Sequence, residues 1–406
     1  MITEVIPGAR SVALGVMVGA GSRYEDTSNQ GAAHLLEHLL FRGAVSYDST
    51  RLADLLDRMG GESNAVTDKE AMTAYVRTLP DEQAAAIALL GAVVTEPLLA
   101  EEVIDAERDV VLDEMLARDD EAIDLAQIAF DGACYGDHPL GRDVLGTVET
   151  LRSLDAPTVR SFHDATYGSD RTVVIATGAV NHDELVEQAA GSIRERRSTA
   201  QSQSSPTVSG ASSKSIGHPG GQLHLLLGVR TDGINEPDPM AMAVLAHLVG
   251  GGVSSRLFRE VREERGLAYA VGIDVTSYRD AGSLCAYASC APTNMAEVID
   301  ILERTFDDIA SGTMTDEEVA RSKASLRADV LLGADEPLTR LGRLGSDLML
   351  RSVIRSTEDL LDELGGVTID AVRAVARRVG TAPLHGVVVG PTSSAVDHRL
   401  ERVVAR

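Results

Sequence analysis

The chain has 406 residues, 44% of them apolar, a formal net charge of −25 and an isoelectric point near 4.7. That length suits two domains of about 200 residues each, and no apolar run approaches the roughly 18 residues that a membrane span needs. An acidic chain without a basic stripe excludes nucleic acid as a partner. The same charge keeps a protein soluble and can draw in a basic peptide.

In chain order, alternating small and apolar residues predict a strand over 11–18, followed by a turn and a polar loop. Helices are predicted over 31–41 and 49–59, the second ending at Gly60-Gly61. Two strands follow within 63–79, around a turn at 68–70. Helices at 81–94, 100–118, 121–130 and 156–166 lead to a strand at 171–178 and a helix at 181–190. Composition then breaks: 198–215 is rich in Ser, Thr, Gln and Gly and reads as a flexible linker.

Beyond the linker the layout restarts with a strand at 223–229, helices at 239–248 and 255–265, and strands at 270–277 and 283–291. Helices at 294–309, 316–332, 337–352, 357–363 and 368–377 precede a last strand at 386–391. Both halves open strand-helix-helix-strand-strand and close with a strand and a helix. This order predicts an α+β fold of two homologous domains, 1–197 and 216–406, joined by the linker at 198–215.

The densest chemical signal is His34-Leu35-Leu36-Glu37-His38. On a helix His34 and His38 stand one turn apart and point the same way, offering two nitrogens to one divalent ion. Glu37 shares that side and can reach a water at the ion. This is HxxEH, the reverse of the commoner HExxH order, and it points to metal-assisted hydrolysis. Catalytic zinc sites take three protein ligands and leave one position open. The helix at 100–118 offers Glu107, Asp113 and Glu114, and spacing alone does not choose among them. Glu107 and Glu114 lie two turns apart on a face shared with Val111. Our reading takes Glu114 as the third ligand and Glu107 as the group behind it, orienting a ligand histidine. The second half has only His247 in the matching region, without a glutamate at the required spacing.

Other patterns carry less. Gly250-Gly251-Gly252 is not followed by the Gly-Lys-Ser/Thr of a phosphate loop. The three cysteines, Cys134, Cys285 and Cys290, form no metal or disulfide pattern and fit a reducing compartment. The start, Met1-Ile2-Thr3-Glu4, has neither the basic region nor the apolar core of a secretory peptide, so a cytoplasmic location is expected.

Taken together, these motifs resemble those of the pitrilysin-type (HxxEH) zinc peptidases, in the branch related to the mitochondrial processing peptidase. That family has a glutamate some 75 residues after HxxEH and another seven positions before it; here Glu114 lies 76 residues after His38, and Glu107 is present. Ser63-Asn64-Ala65-Val66-Thr67 matches the family's edge-strand segment. His138-Pro139-Leu140-Gly141 and Leu145-Gly146 match the segment after the ligand helix. Ser255-Arg256-Leu257-Phe258 and the stretch 262–269 match the signature of the second domain.

The resemblance implies one Zn²⁺ per chain on His34, His38 and Glu114, with Glu37 as general base. It implies that Asn64 and Ala65 hold the substrate backbone, and that Arg262 and Tyr269 reach the bound peptide from the second domain. The implied activity is endopeptidase action on unfolded peptides or extended segments. The implied assembly is a chamber of four such domains, hence a homodimer or a heterodimer with a homologous subunit. Some relatives lack the metal set and act as scaffold or substrate-binding subunits, so a non-catalytic role is the rival reading. Family members also have a short strand before the point where this chain begins. That implies either a lost edge strand in the first sheet or a late start.

Overall fold

The computed structural model describes residues 1–193, 196–200, 204–207 and 210–405. The first half runs β1 (Ile2–Val5), β2 (Val12–Val18), α1 (Ala32–Leu40), α2 (Ser49–Met59), β3 (Glu62–Thr67), β4 (Met72–Thr78), α3 (Gln83–Thr95) and α4 (Glu101–Asp119). It continues with α5 (Ala122–Tyr135), α6 (Val148–Ser153), α7 (Ala156–Thr166), β5 (Thr172–Gly178) and α8 (His182–Ala189). The second half holds β6 (Ser212–Gly217), β7 (Leu223–Thr231), α9 (Pro239–Ala246), β8 (Ala268–Ser277), β9 (Gly282–Cys290), α10 (Met295–Ala310) and α11 (Asp316–Gly333). Then come α12 (Pro337–Ser346), α13 (Thr357–Gly366), α14 (Ile369–Thr381), β10 (Leu384–Gly390) and α15 (Ser394–Val404). Segments of π-helix occur at His247–Gly251, Phe258–Glu264 and Asp347–Arg351.

Two five-stranded sheets share one order, β1-β5-β2-β4-β3 and β6-β10-β7-β9-β8. The edge pairs β1–β5 and β6–β10 are parallel and the other pairs are antiparallel. The architecture is α+β in two related units, as the repeated element order predicts. Ile2–Val5 pairs in parallel with β5 and forms one edge of the first sheet. Ser212–Gly217, inside the polar stretch read as linker, is the matching edge of the second sheet. It was illegible because an edge strand with few buried side chains has no apolar alternation to show. Earlier in that stretch, Ser198 Oγ donates to the Ala165 carbonyl and the Ser198 amide to Asp170, so this part is held against α7 and the turn after it. Residues 201–203 and 208–209 of the expected linker lie outside the described residues.

The compact units do not follow the linear halves. One comprises Met1–Leu116, Asp143–Ser204 and Leu332–Arg355; the other Ala117–Arg142, Ser205–Leu331 and Ser356–Arg406. Strand alternation explains what each sheet needs. In the first unit Val12, Leu14, Val16 and Val18 face a core with Leu35, Leu36 and Leu39 of α1 and Ile87 and Leu90 of α3. The opposite face, with Ala13, Met17 and Ile175, is covered by Leu341 and Leu344 of α12, which comes from late in the chain. Gly345 permits the close approach, since a Cβ there would stand 2.6 Å from Met17. In the second unit Leu223, Leu225, Leu227 and Val229 face α9, α10 and α14. The other face, with Leu226, Val387 and Val389, is covered by Ala126, Phe130 and Cys134 of α5, from early in the chain. Each sheet thus borrows one covering helix from the other half of the sequence.

Two outcomes follow. Leu341→Ala removes the buried contact of α12 and should lower unfolding free energy by about 2–5 kcal/mol; a denaturant titration showing a change below about 1 kcal/mol would contradict this packing. His385, buried in β10 with Ser212 Oγ 2.9 Å from its Nδ1, is pushed down to about 4 by burial and by the Arg230 charge. Its folded ring is therefore neutral where an unfolded one protonates near 6.5. Its stabilisation is complete above that value and declines as pH falls toward 4. His385→Asn should reduce the stability lost between pH 7 and pH 5 in parallel denaturant titrations.

Candidate metal centre

The helix that carries the motif is built on two faces. Ala32, Ala33, Leu35, Leu36, Leu39 and Leu40 are buried in the core, while His34, Glu37 and His38 form the half-buried stripe on the other side. Its N-terminus has no capping side chain of its own. Gly31 sits there at φ 90°, and a Cβ would come 2.6 Å from the Leu145 carbonyl. The buried Glu25 carboxylate does the capping instead, accepting from the Gly31 amide at 3.0 Å and the Ala33 amide at 2.7 Å. A negative group at the positive end of a helix is favourable. The Leu145-Gly146 motif backs this same end: a Cβ on Gly146 would meet the Gln30 carbonyl at 2.5 Å. Those two residues shape the seat of α1.

Facing this stripe, α4 buries Ile104, Glu107, Val111 and Met115 and leaves Glu114 partly exposed. Glu114 Oε2 lies 3.8 Å from His34 Nε2 and 3.5 Å from His38 Nε2. The ligand atoms of His34, His38 and Glu114 all fall within 4.8 Å of one another. Donors about 2.0–2.2 Å from a tetrahedral ion stand roughly 3.3–3.5 Å apart, so two imidazoles and a carboxylate at this spacing fit zinc. Among the described residues this is the one group of three or more such side chains placed to hold an ion. Asp113, the remaining candidate from spacing, is not in it.

Electrostatics suit ligation. Burial and the neighbouring His38 ring lower His34 to about 4, leaving a neutral imidazole with a free lone pair. Burial raises Glu37, and Glu114 adds to the rise; the Thr67 hydroxyl and amide and the His38 ring pull the other way. A carboxyl held above its ordinary value is suited to taking and returning a proton. Glu107, 5% exposed, places Oε2 3.3 Å from His38 Nδ1 and binds Arg42 Nε through Oε1 at 2.6 Å.

The remaining sequence-predicted residues fall elsewhere. Asn64 is exposed and Ala65 buried on β3, the open edge of the first sheet; Asn64 Oδ1 accepts from the Ala65 amide at 2.9 Å. Arg262 and Tyr269 belong to the second unit. The Arg262 guanidinium lies 4.9 Å over the Phe258 ring and 4.6 Å over the Tyr269 ring, and Tyr269 is 76% exposed.

Sequence reasoning missed Glu25, Arg42 and Tyr167, and it named Thr67 only as the end of the edge-strand motif, without its contact to Glu37. The buried Tyr167 hydroxyl has no hydrogen-bond partner among the described residues, and burial together with the Glu37 charge pushes its pKa up. Only Arg42 had a local signal, one turn after His38 in the pattern of a charged helix neighbour.

Comparison with known proteins bears on what this centre is. The family model described as insulinase (peptidase family M16) matches residues 1–148, and that described as peptidase M16 inactive domain matches 153–326. An uncharacterised zinc protease of Mycobacterium leprae is 37% identical over 97% of this chain and 90% of its own length. One of Streptomyces coelicolor is 34% identical over 100% of this chain and 90% of its own. A solved structure described as a peptidase M16 inactive domain from Pseudomonas fluorescens superposes with a TM-score of 0.88 at 20% identity, covering 96% of this chain and 95% of that one. The chain belongs to peptidase family M16. It is a zinc-dependent metallopeptidase, and its His34, His38 and Glu114 are a donor set consistent with zinc. Among the described residues no helix is long and apolar enough to cross a membrane.

The Glu25 cap has a measurable consequence. Glu25→Ala leaves two amides at the start of α1 without their buried acceptor, a loss of about 2–4 kcal/mol. Thermal unfolding of the apo chain should register it; an unchanged midpoint would mean that Glu25 does not hold the helix.

Proposed function

We propose that the protein is an endopeptidase of the branch related to the mitochondrial processing peptidase, acting on unfolded peptides or extended segments. His34, His38 and Glu114 would hold one zinc per chain. The observation that carries this reading is the convergence of Glu114 of α4 on the α1 stripe that holds His34 and His38 beside Glu37. Zinc bound there supplies Lewis acidity, lowering the pKa of water and polarising the scissile carbonyl.

Glu37 takes the proton of the attacking water and returns it to the leaving amine, a role supported by its raised pKa. Glu107 accepts from His38 Nδ1–H and leaves Nε2 free to ligate. The open edge of β3 can take the substrate as an added strand, its backbone met by Asn64 and Ala65. Arg262 and Tyr269 donate to the substrate carbonyl or backbone; the stacking of the guanidinium between two rings supports a preorganised donor. The rest of the reading is a homodimer, or a heterodimer with a homologous subunit, in the cytoplasm. Three free, buried cysteines support a reducing compartment.

Peptide-library cleavage followed by mass spectrometry tests the chemistry. Glu37→Gln should lower turnover by about 10²–10⁴-fold while zinc content is unchanged. Cleavage at the wild-type rate by that variant rules Glu37 out as the base. Arg262→Ala should lower kcat/KM by about 10²–10³-fold with zinc retained, and an unaltered value would remove it from the site.

A further inference from the structure

Arg42 stands just past the end of α1, four residues beyond His38, and the chemistry above makes no use of it. Its Nε donates to Glu107 Oε1 across 2.6 Å. The other oxygen of that carboxylate lies 3.3 Å from His38 Nδ1, and His38 Nε2 faces Glu114 Oε2 at 3.5 Å. Guanidinium, carboxylate, imidazole and ligand carboxylate therefore form one continuous chain.

Burial along it is uneven. The Glu107 side chain is 5% exposed, whereas that of Arg42 is 54% exposed. A buried carboxylate needs a compensating charge. His38 cannot supply it while acting as a ligand, because a ligating imidazole is neutral. Arg42 is the one cationic side chain paired with Glu107 among the described residues. An ordinary ion pair between two exposed side chains adds little; here one partner is buried and directly contacts a ligand of the metal centre.

We propose that Arg42 is a positioning residue for the metal centre. By fixing the Glu107 carboxylate it keeps Oε2 turned to Nδ1–H, which sets the tautomer and plane of the His38 ring. It thereby tightens zinc binding without touching the metal. The inference rests on the reading of His34, His38 and Glu114 as the zinc ligands.

The test is zinc affinity of the full chain, measured by competition with a chromophoric chelator, with thermal unfolding as a check of the fold. Arg42→Gln should weaken zinc binding about 10–100-fold, the range expected for a group that orients a ligand from behind. Arg42→Lys keeps the charge and should recover part of the loss, giving a second point on the same scale. In a Glu107→Gln background, Arg42→Gln should have no further effect, because its route to the metal is already cut. An Arg42→Gln affinity within about twofold of wild type, or equal weakening in both backgrounds, overturns the proposal. A wild-type chain that takes up no zinc, or that keeps full affinity after His38→Ala, overturns the ligand assignment itself and the proposal with it.

Discussion

The candidate metal centre depends on α1 and α4 meeting in one register. Their functional residues are about seventy positions apart in the chain, and neither helix holds an ion alone. Two contacts between them do different work. Glu114 reaches both imidazoles on the ligand side, and Glu107, two helical turns earlier, meets the back of His38. A slip of α4 by one turn would move both carboxylates together and leave a buried charge without a partner. That cost makes the register self-enforcing: the burial that renders Glu107 expensive also fixes where Glu114 must lie.

This pairing depends on how firmly α1 is seated. Its apolar face packs against β2 and α3, and its first amides are held by Glu25 from the preceding loop. Beneath it, β2 is buried on both faces because α12 covers the far side of the sheet. The site thus depends on a helix roughly three hundred residues later in the chain. The reciprocal cover of the second sheet by α5 ties the two halves of the sequence together, since each sheet has one face covered from the other half. Duplication is visible in the shared strand order, while among the described residues the candidate metal donors lie in the unit that carries HxxEH.

Much of this was legible in the sequence, for identifiable reasons. Strong periodicity gave α1, α2 and α10 to within a residue or two, and the apolar run of β2 gave the central strand. His34, Glu37 and His38 were readable because helical spacing alone puts them on one face. Glu114 needed the family pattern, since Asp113 and Glu107 satisfy spacing equally well. What stayed hidden was non-local. β1 and β6 are short edge strands, and β6 is polar, so neither shows an apolar pattern. The exchange of α5 and α12 cannot be read from their sequences, which look like any amphipathic helices. Glu25 and Tyr167 reach α1 from separate loops and elements, and no spacing rule links them to it; Thr67 was legible only as part of the edge-strand motif.

The central claim is that one zinc is held by His34, His38 and Glu114. X-ray absorption at the zinc edge of the purified protein, with metal content measured on the same sample, addresses it most directly. The account predicts about one zinc per chain in a shell of two imidazole nitrogens and oxygen donors near 2.0–2.2 Å, with no sulfur. The histidine signature should fall when His34 or His38 is replaced. A shell containing sulfur, or one unchanged by removing either histidine, would contradict it.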